Sequence, residues 1–327
     1  MVPKVSVILP IYNAGAYLRE CLDGLVNQTL QEIEIILVLD CPTDGSDIIA
    51  ESYAKRDSRI KIIRNKENLH IGNSRNRGLE AATGEYIGFS DHDDFRELTM
   101  YETLYNKAKR ENLDMVAGMT VNAEKGTKKG WTIPSEIKDT DAKEFVLRDL
   151  ISVGGYQRDI PLFVNIHPNL YRKKIIDQYK LHFVDTRVIV PEDRLFNIYY
   201  LLNASSVGIE RKKLYYHRII EESEGHKTSY LSSGKRLLFV DEVYHALKQS
   251  QKWMIYESDF YIGAGKVFMN QLLSIIISEK KIAKFIKTAK VIKQKEYTKS
   301  VFMHYSWPRE SLWWVKWAKK VVLLYMK

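Results

Sequence analysis

The sequence predicts an α/β protein: a doubly wound, mostly parallel sheet within residues 1–229 and a helical, basic extension over residues 230–327. Three observations carry that expectation. Through the first 120 residues, short apolar runs suited to buried strands alternate with apolar positions at helical spacing, as repeated strand–helix units require. Beyond residue 230 the helical spacing continues with no further strand series. Charge is divided as well. Residues 280–327 hold thirteen Lys and Arg against Glu296 and Glu310, leaving 37 basic and 39 acidic residues in the rest of the chain. The formal net charge of +9 therefore describes the tail, not the core.

"KVSVILPI" reads as the first buried strand. Asn13 follows as a cap for a helix with Leu18, Cys21, Leu22, Leu25 and Val26 on its apolar side. "IEIILVL" (33–39) is a continuous apolar run, as in a parallel strand covered on both faces. A helix from about Ser46 to Lys55 and a short strand "IKIIR" (60–64) come next. A polar helix from about Gly72 to Ala82 leads into the strand Tyr86–Phe89, and a helix from Leu98 to about Glu111 into "DMVAGM" (114–119). "AEKGTKKG" is a loop by composition. "TDAKEFVLRDLI" (140–151) is a capped helix, Pro191-Glu192-Asp193 opens an amphipathic helix, and "KKLYYHR" is a strand.

No apolar run is long enough to span a bilayer. "MVPKVSVILPIYN" enters a strand pattern without a small-residue cleavage site, so an export signal is not expected. Cys21 and Cys41 form neither a metal nor a disulfide pattern, and so few cysteines fit a reducing cytoplasm.

The chemistry concentrates at strand ends, where open parallel sheets bind ligands. "GEYIGFSDHDDF" (84–95) ends an apolar strand in Asp91, Asp93 and Asp94, and like charge at that density calls for a cation. Pro10 and Tyr12 follow the first strand, Asp40 ends the second, and Asn68, Arg75 and Asn76 lie in or near the helix before the acidic strand. An aromatic ring such as Tyr12 can stack on a base, and a carboxylate such as Asp40 can accept from a base N–H. The Arg75 guanidinium suits phosphate. Asp91 and Asp93, two residues apart, can hold a hard divalent cation that also binds diphosphate oxygens. Taken singly, each has a plainer reading: Tyr12 as core, Asp40 and Asp44 as turn residues, Arg75 as a solvated helix charge, Glu192 and Asp193 as first-turn residues favoured by the helix dipole.

Together, "VSVILPIYN", "IEIILVLDCPTDGS", "NLHIGNSRNRGLEAATGEYIGFSDHDD" and "PEDRLF" resemble family 2 of the inverting glycosyltransferases, which have the GT-A fold. The resemblance covers roughly residues 3–95 and 190–218. It implies that Asp91 and Asp93 form a DxD element holding Mn2+ or Mg2+ and the nucleotide-sugar, with His92 in its middle. It implies that Asp40 reads uracil and that Asp193 is the catalytic base beside Glu192. The family's paired acids after the second strand appear here as Leu39-Asp40, so the first is missing. Its later Tyr-Arg region appears as "YYHRIIEESEGHKTS", in which His217, Arg218, His226 and Lys227 would line the diphosphate. The acceptor part would lie within about 120–229. The implied donor is a UDP-sugar, and the implied acceptor is a saccharide or lipid-linked saccharide of a bacterial capsule, lipopolysaccharide or wall polymer. A nucleotidyltransferase, or an inactive nucleotide-binding partner of a membrane assembly, are the alternatives; the first would not need Asp193.

"EKKIAKFIKTAKVIKQK" places Ile282, Phe285, Ile286 and Ala289 on one helix face among lysines. "SLWWVKWAKKVVLLYMK" sets Trp313, Trp314 and Trp317 against Lys316, Lys319 and Lys320. Both suit an interfacial helix on an anionic membrane, which would make the enzyme peripheral on the inner face of the cell membrane. The same faces could instead pack on the domain or on a second copy of the chain. Nucleic acid also attracts basic segments, but no recognition motif accompanies this one.

Overall fold

A computed structural model describes residues 3–124, 127–130, 137–153, 165–219, 234–275, 281–304 and 326. The chain divides into two compact units. The first comprises Met1–Leu147, Leu162–Arg187 and Glu192–Ile219, and the second Arg148–Pro161, Val188–Pro191 and Ile220–Lys327.

The first unit is built on a nine-stranded sheet: β1 (Val5–Ile11), β2 (Ile33–Leu39), β3 (Ile60–Arg64), β4 (Tyr86–Phe89), β5 (Phe95–Arg96), β6 (Met115–Glu124), β7 (Thr127–Gly130), β8 (Leu170–Arg172) and β9 (Val207–Arg218). The order is β3-β2-β1-β4-β8-β6-β9-β5, with β7 paired to β6. The first four strands are parallel, and every residue of β1 and β2 is buried, which explains their unbroken Val/Ile/Leu character. From β8 outward the sheet departs from the mostly parallel expectation. β8 is antiparallel to both β4 and β6, β9 is parallel to β6, and β5 is antiparallel to β9. Helices still separate several of these strands in the chain, but no two successive strands here are parallel neighbours, so they need not share one direction. The "AEKGTKKG" loop is also corrected: β6 runs on through Glu124 and pairs with β7 as a hairpin.

Helices α1 (Leu18–Val26), α2 (Ser46–Ala54), α3 (His70–Ala81) and α4 (Met100–Arg110) follow the strands near the expected places. Asn13 does not cap α1. It has φ 46°, and its Oδ1 accepts from the Thr43 N–H at 2.8 Å, tying the end of β1 to the loop after β2. α3 lies very close to β1, since a Cβ on Gly78 would fall 2.3 Å from Ile8 Cγ2. That approach, open only to glycine, carries Arg75 over the strand ends. α5 (Ala142–Ile151), α6 (Lys173–Tyr179) and α7 (Glu192–Asn203) follow. α7 is less amphipathic than its sequence suggests, because most of it from Arg194 to Leu202 is buried.

In the second unit, α8 (Lys235–Gln249), α9 (Trp253–Ser274), α10 (Ile282–Lys293) and α11 (Thr298–His304) share a core of Val243, Tyr244, Phe260, Phe268 and Tyr297. Asp241 anchors α8 to the α10–α11 turn by accepting from Tyr297 and pairing with Lys295. The expected apolar face of α10 is split. Phe285 and Ala289 are buried with Ile292, whereas Ile282 is 77% exposed and Ile286 is also exposed. Among the described residues, no helix is long and apolar enough to cross a membrane. The tryptophan-rich segment, with Trp313, Trp314, Lys316, Lys319 and Lys320, lies outside the described residues, as do His226 and Lys227.

Candidate active site

The site grows from the carboxyl ends of β1, β2 and β4. Ladder bonds carried past the strands hold those ends in step: the Asp40 N–H donates to Ile11 at 2.9 Å and the Ser90 N–H to Ile8 at 3.0 Å. Pro10 is buried in β1, and its carbonyl lies 3.4 Å from His92 Nδ1, so His92 turns back toward the first strand. Tyr12, one residue past β1, is 47% exposed, which rules out the core reading and leaves its ring open to a ligand. Asp40 is buried. Its Oδ1 accepts from Asn65 Nδ2 at 2.7 Å and from the Leu69 N–H at 2.8 Å, while no donor reaches Oδ2 among the described residues. Asp44 is the turn residue of its plainer reading, accepting from the Ser46 and Gly15 N–H groups. Asn68 accepts from the His70 N–H at 3.0 Å and starts α3; Asn76 exchanges bonds with the backbone of Phe183.

Arg75 is not a solvated charge, nor is it open to phosphate. It is 2% exposed, with Nη1 donating to Glu192 Oε1 at 2.8 Å and Nη2 to Asp91 Oδ1 at 3.2 Å, its guanidinium over the Phe183 ring. One buried cation thus bridges the end of β4 to the start of α7, Glu192 lying 117 residues beyond Arg75 in sequence. Burial alone would disfavour the Arg75 charge, but Asp91, Glu192 and Asp193 outweigh it and raise its pKa.

The three aspartates have different surroundings. Asp91 Oδ1 also receives His167 Nε2 at 3.0 Å. Burial opposes its charge, yet His167, Arg75 and His92 together hold Asp91 far below the usual carboxylate range. Asp94 is buried at the end of β9. It accepts from Tyr215 Oη at 2.6 Å and the Arg218 N–H at 2.9 Å, with His217 Nδ1 at 3.2 Å. That bond to Asp94 outweighs partial burial and raises the His217 pKa. Arg218 spends its side chain on the Asp93 carbonyl, on Glu20 and on the rings of Tyr17 and Phe95, so it holds the loop together. Asp93 differs: no cationic side chain pairs with its carboxylate among the described residues, and burial plus the charges of Asp91 and Asp94 push its pKa up.

Much of the cation that the acidic cluster demands is therefore supplied by the protein. Arg75 offsets Asp91, His167 adds a hydrogen bond to it, and His217 lies against Asp94, whereas no cationic side chain pairs with Asp93 among the described residues. Asp91, Asp94 and His167 do bring ligand atoms within 4.8 Å of one another. A cation among those three would compete with Arg75, 3.3 Å from His167 Nε2, and with the donors already on Asp94. The unpaired Asp93 carboxylate with the remaining oxygen of Asp91 fits a hard divalent ion better.

Glu192 and Asp193 open α7. Asp193 Oδ1 accepts from the Arg194 N–H at 2.7 Å. Burial and the adjacent Glu192 push Asp193 up to about 7, against the pull of Arg75 and His167. A carboxylate with that proton affinity can take a proton near neutral pH, which an ordinary first-turn aspartate would do poorly. His167 and Tyr215 were missing from the sequence reading. His167 sits in an irregular stretch, "NIHPN", with no pattern to flag it, and Tyr215 looks like an ordinary strand aromatic.

The glycosyl transferase family 2 model matches residues 6–180, more than half of the chain. The uncharacterized glycosyltransferase EpsJ of Bacillus subtilis (strain 168) is 34% identical over 219 residues, covering 67% of this chain and 62% of that protein. The chain thus spans about three fifths of that relative. The poly(ribitol-phosphate) beta-N-acetylglucosaminyltransferase TarP of Staphylococcus aureus (strain N315) is 29% identical, covering 76% of this chain and 73% of TarP. A crystal structure of S. aureus TarS in complex with UDP-GlcNAc shares the fold, with a TM-score of 0.70 at 18% identity, covering 99% of this chain and 89% of the other. The chain belongs to glycosyl transferase family 2, with the GT-A-like fold that the resemblance implied.

Proposed function

We propose that the chain is an inverting, divalent-cation-dependent glycosyltransferase that moves a sugar from a UDP-sugar to an acceptor hydroxyl in bacterial cell-surface glycan synthesis. The observation that carries this reading is the Arg75 bridge: one buried guanidinium holds the DxD strand end and the Glu192–Asp193 pair in a single network. The nucleotidyltransferase alternative would not need Asp193. The donor class is supported by the UDP-GlcNAc complex of TarS, and the acceptor class by relatives named for poly(ribitol-phosphate) glycosylation.

In this reading the Tyr12 ring stacks on uracil, and Asp40 Oδ2 accepts a base N–H. Asp91 and Asp93 hold Mn2+ or Mg2+, which supplies charge neutralisation for the diphosphate when bound. Asp193 takes the proton of the acceptor hydroxyl as general base. The acceptor oxygen forms its bond to the anomeric carbon from the face opposite UDP, and the carbon–phosphate oxygen bond breaks with its electron pair leaving on UDP. An α-linked donor then yields a β-linked product. His217 borders the same end of the sheet. Peripheral attachment to an anionic membrane is supported by the outer side of α10, where exposed Ile282 and Ile286 alternate with Lys287 and Lys290. A screen of UDP-sugars for binding and hydrolysis, with Mn2+ and with EDTA, in wild type and Asp93→Asn, tests the proposal. Metal-dependent binding lost in Asp93→Asn supports it. Identical binding in all four conditions contradicts it.

A further inference from the structure

We infer that His167 is a positioning residue that fixes Asp91 for cation and diphosphate binding; the inference rests on the function proposed above. His167 is buried, its Nε2 3.0 Å from Asp91 Oδ1 and 3.3 Å from Arg75 Nη2. A guanidinium can only donate, and an ionised carboxylate can only accept. If Nε2 accepted a proton from Arg75, its lone pair would be spent there, and Oδ1 would face a nitrogen with nothing to give. The short Asp91 contact therefore requires Nε2–H, while Arg75 reaches Oδ1 by its own bond at 3.2 Å.

Oδ1 of Asp91 thus accepts two charged or polar donors from the buried side, and among the described residues no donor reaches Oδ2. Asp91 keeps 23% of its side chain exposed, against 2% for Arg75 and 7% for His167, so the open part of Asp91 is its Oδ2 side. The carboxylate cannot rotate without breaking both bonds. The imidazole is held in turn. Its face stacks on Tyr215 with centroids 5.4 Å apart and planes 15° apart. Tyr215 Oη donates to Asp94 at 2.6 Å and accepts the Asp91 N–H at 3.3 Å. His167, from the irregular stretch before β8, and Tyr215, from β9, therefore set the orientation of the acidic loop. Partners of this kind typically change metal affinity about 10–100-fold when removed.

The test is calorimetric titration of UDP into the full chain with Mn2+ and with EDTA, for wild type, His167→Phe and His167→Gln. Phenylalanine keeps a ring for Tyr215 but has no N–H; glutamine restores an N–H without the ring. The expected result is Mn2+-dependent UDP binding about 10-fold or more weaker in His167→Phe, largely recovered in His167→Gln, with binding in EDTA unchanged in both. Wild-type affinity in the Phe variant, or an equal loss in EDTA, overturns the inference. So does imidazole-nitrogen coupling to bound Mn2+ in electron paramagnetic resonance, which would make His167 a ligand. A wild type whose UDP binding ignores metal overturns the proposed function instead, and this inference with it. Nitrogen NMR of the wild type decides the matter even where a variant misfolds: Nε2 of His167 must carry its proton, and a bare Nε2 contradicts the geometry.

Discussion

At the ends of β1 and β2, Tyr12 is exposed and one oxygen of buried Asp40 has no donor among the described residues, whereas at the ends of β4 and β9 nearly every charge is already paired. The first half of the sheet is parallel and covered on both faces, and it presents single groups to a ligand. The second half is mixed; it delivers His167 and Tyr215 onto the acidic loop and, through α7, Glu192 onto Arg75. The difference teaches that binding groups and charge-setting groups come from different parts of the chain. In the proposed reading the first set meets the base, while the second fixes the carboxylates that meet cation and acceptor.

The largest effect expected from breaking this division is at Arg75, which ties the end of β4 to the start of α7. Arg75→Met leaves Asp91 and Glu192 without their shared buried cation and should destabilise the protein by about 3–5 kcal/mol. Chemical denaturation measures it, and a loss below about 1 kcal/mol would mean that the bridge does not hold the two halves. Tyr12→Ala is the contrasting case. Its ring is exposed, so stability should hardly change, while UDP affinity should fall by about 1–3 kcal/mol of stacking. Unchanged UDP affinity would remove Tyr12 from the site and sharpen attention on Asp40.

This division also decides what could be read from sequence. β1 and β2 were legible because strands buried on both faces leave unbroken apolar runs, and their end residues follow at once. Asp91 and Asp93 stood out as dense like charge at a strand end, and Asp193 only through the family resemblance. Arg75 was singled out as a group suited to phosphate, whereas its partners in the fold are Asp91 and Glu192. Its partners lie 16 and 117 residues away, and no local pattern names them. His167 was invisible for the same reason, since a single histidine in irregular chain acquires meaning only when folding stacks it on Tyr215. The direction of β8 was hidden too: three residues carry too little periodicity to show which way they pair.

The central claim is that the Arg75 network delivers Asp193 as a general base, and the pH dependence of sugar transfer tests it most directly. Folding raises the Asp193 pKa from an ordinary 3.8 to about 7, so the folded chain retains a proton that the unfolded chain has lost. This carboxyl therefore costs stability as pH rises through that window, and it becomes an effective base only near the upper end. Transfer by the wild type should climb with pH to a plateau above about 7. Asp193→Asn should bind UDP and metal almost normally, lose at least about 100-fold in transfer, and lose the climb. An Asp193→Asn variant that keeps wild-type turnover, or the same pH profile at reduced rate, would contradict the account.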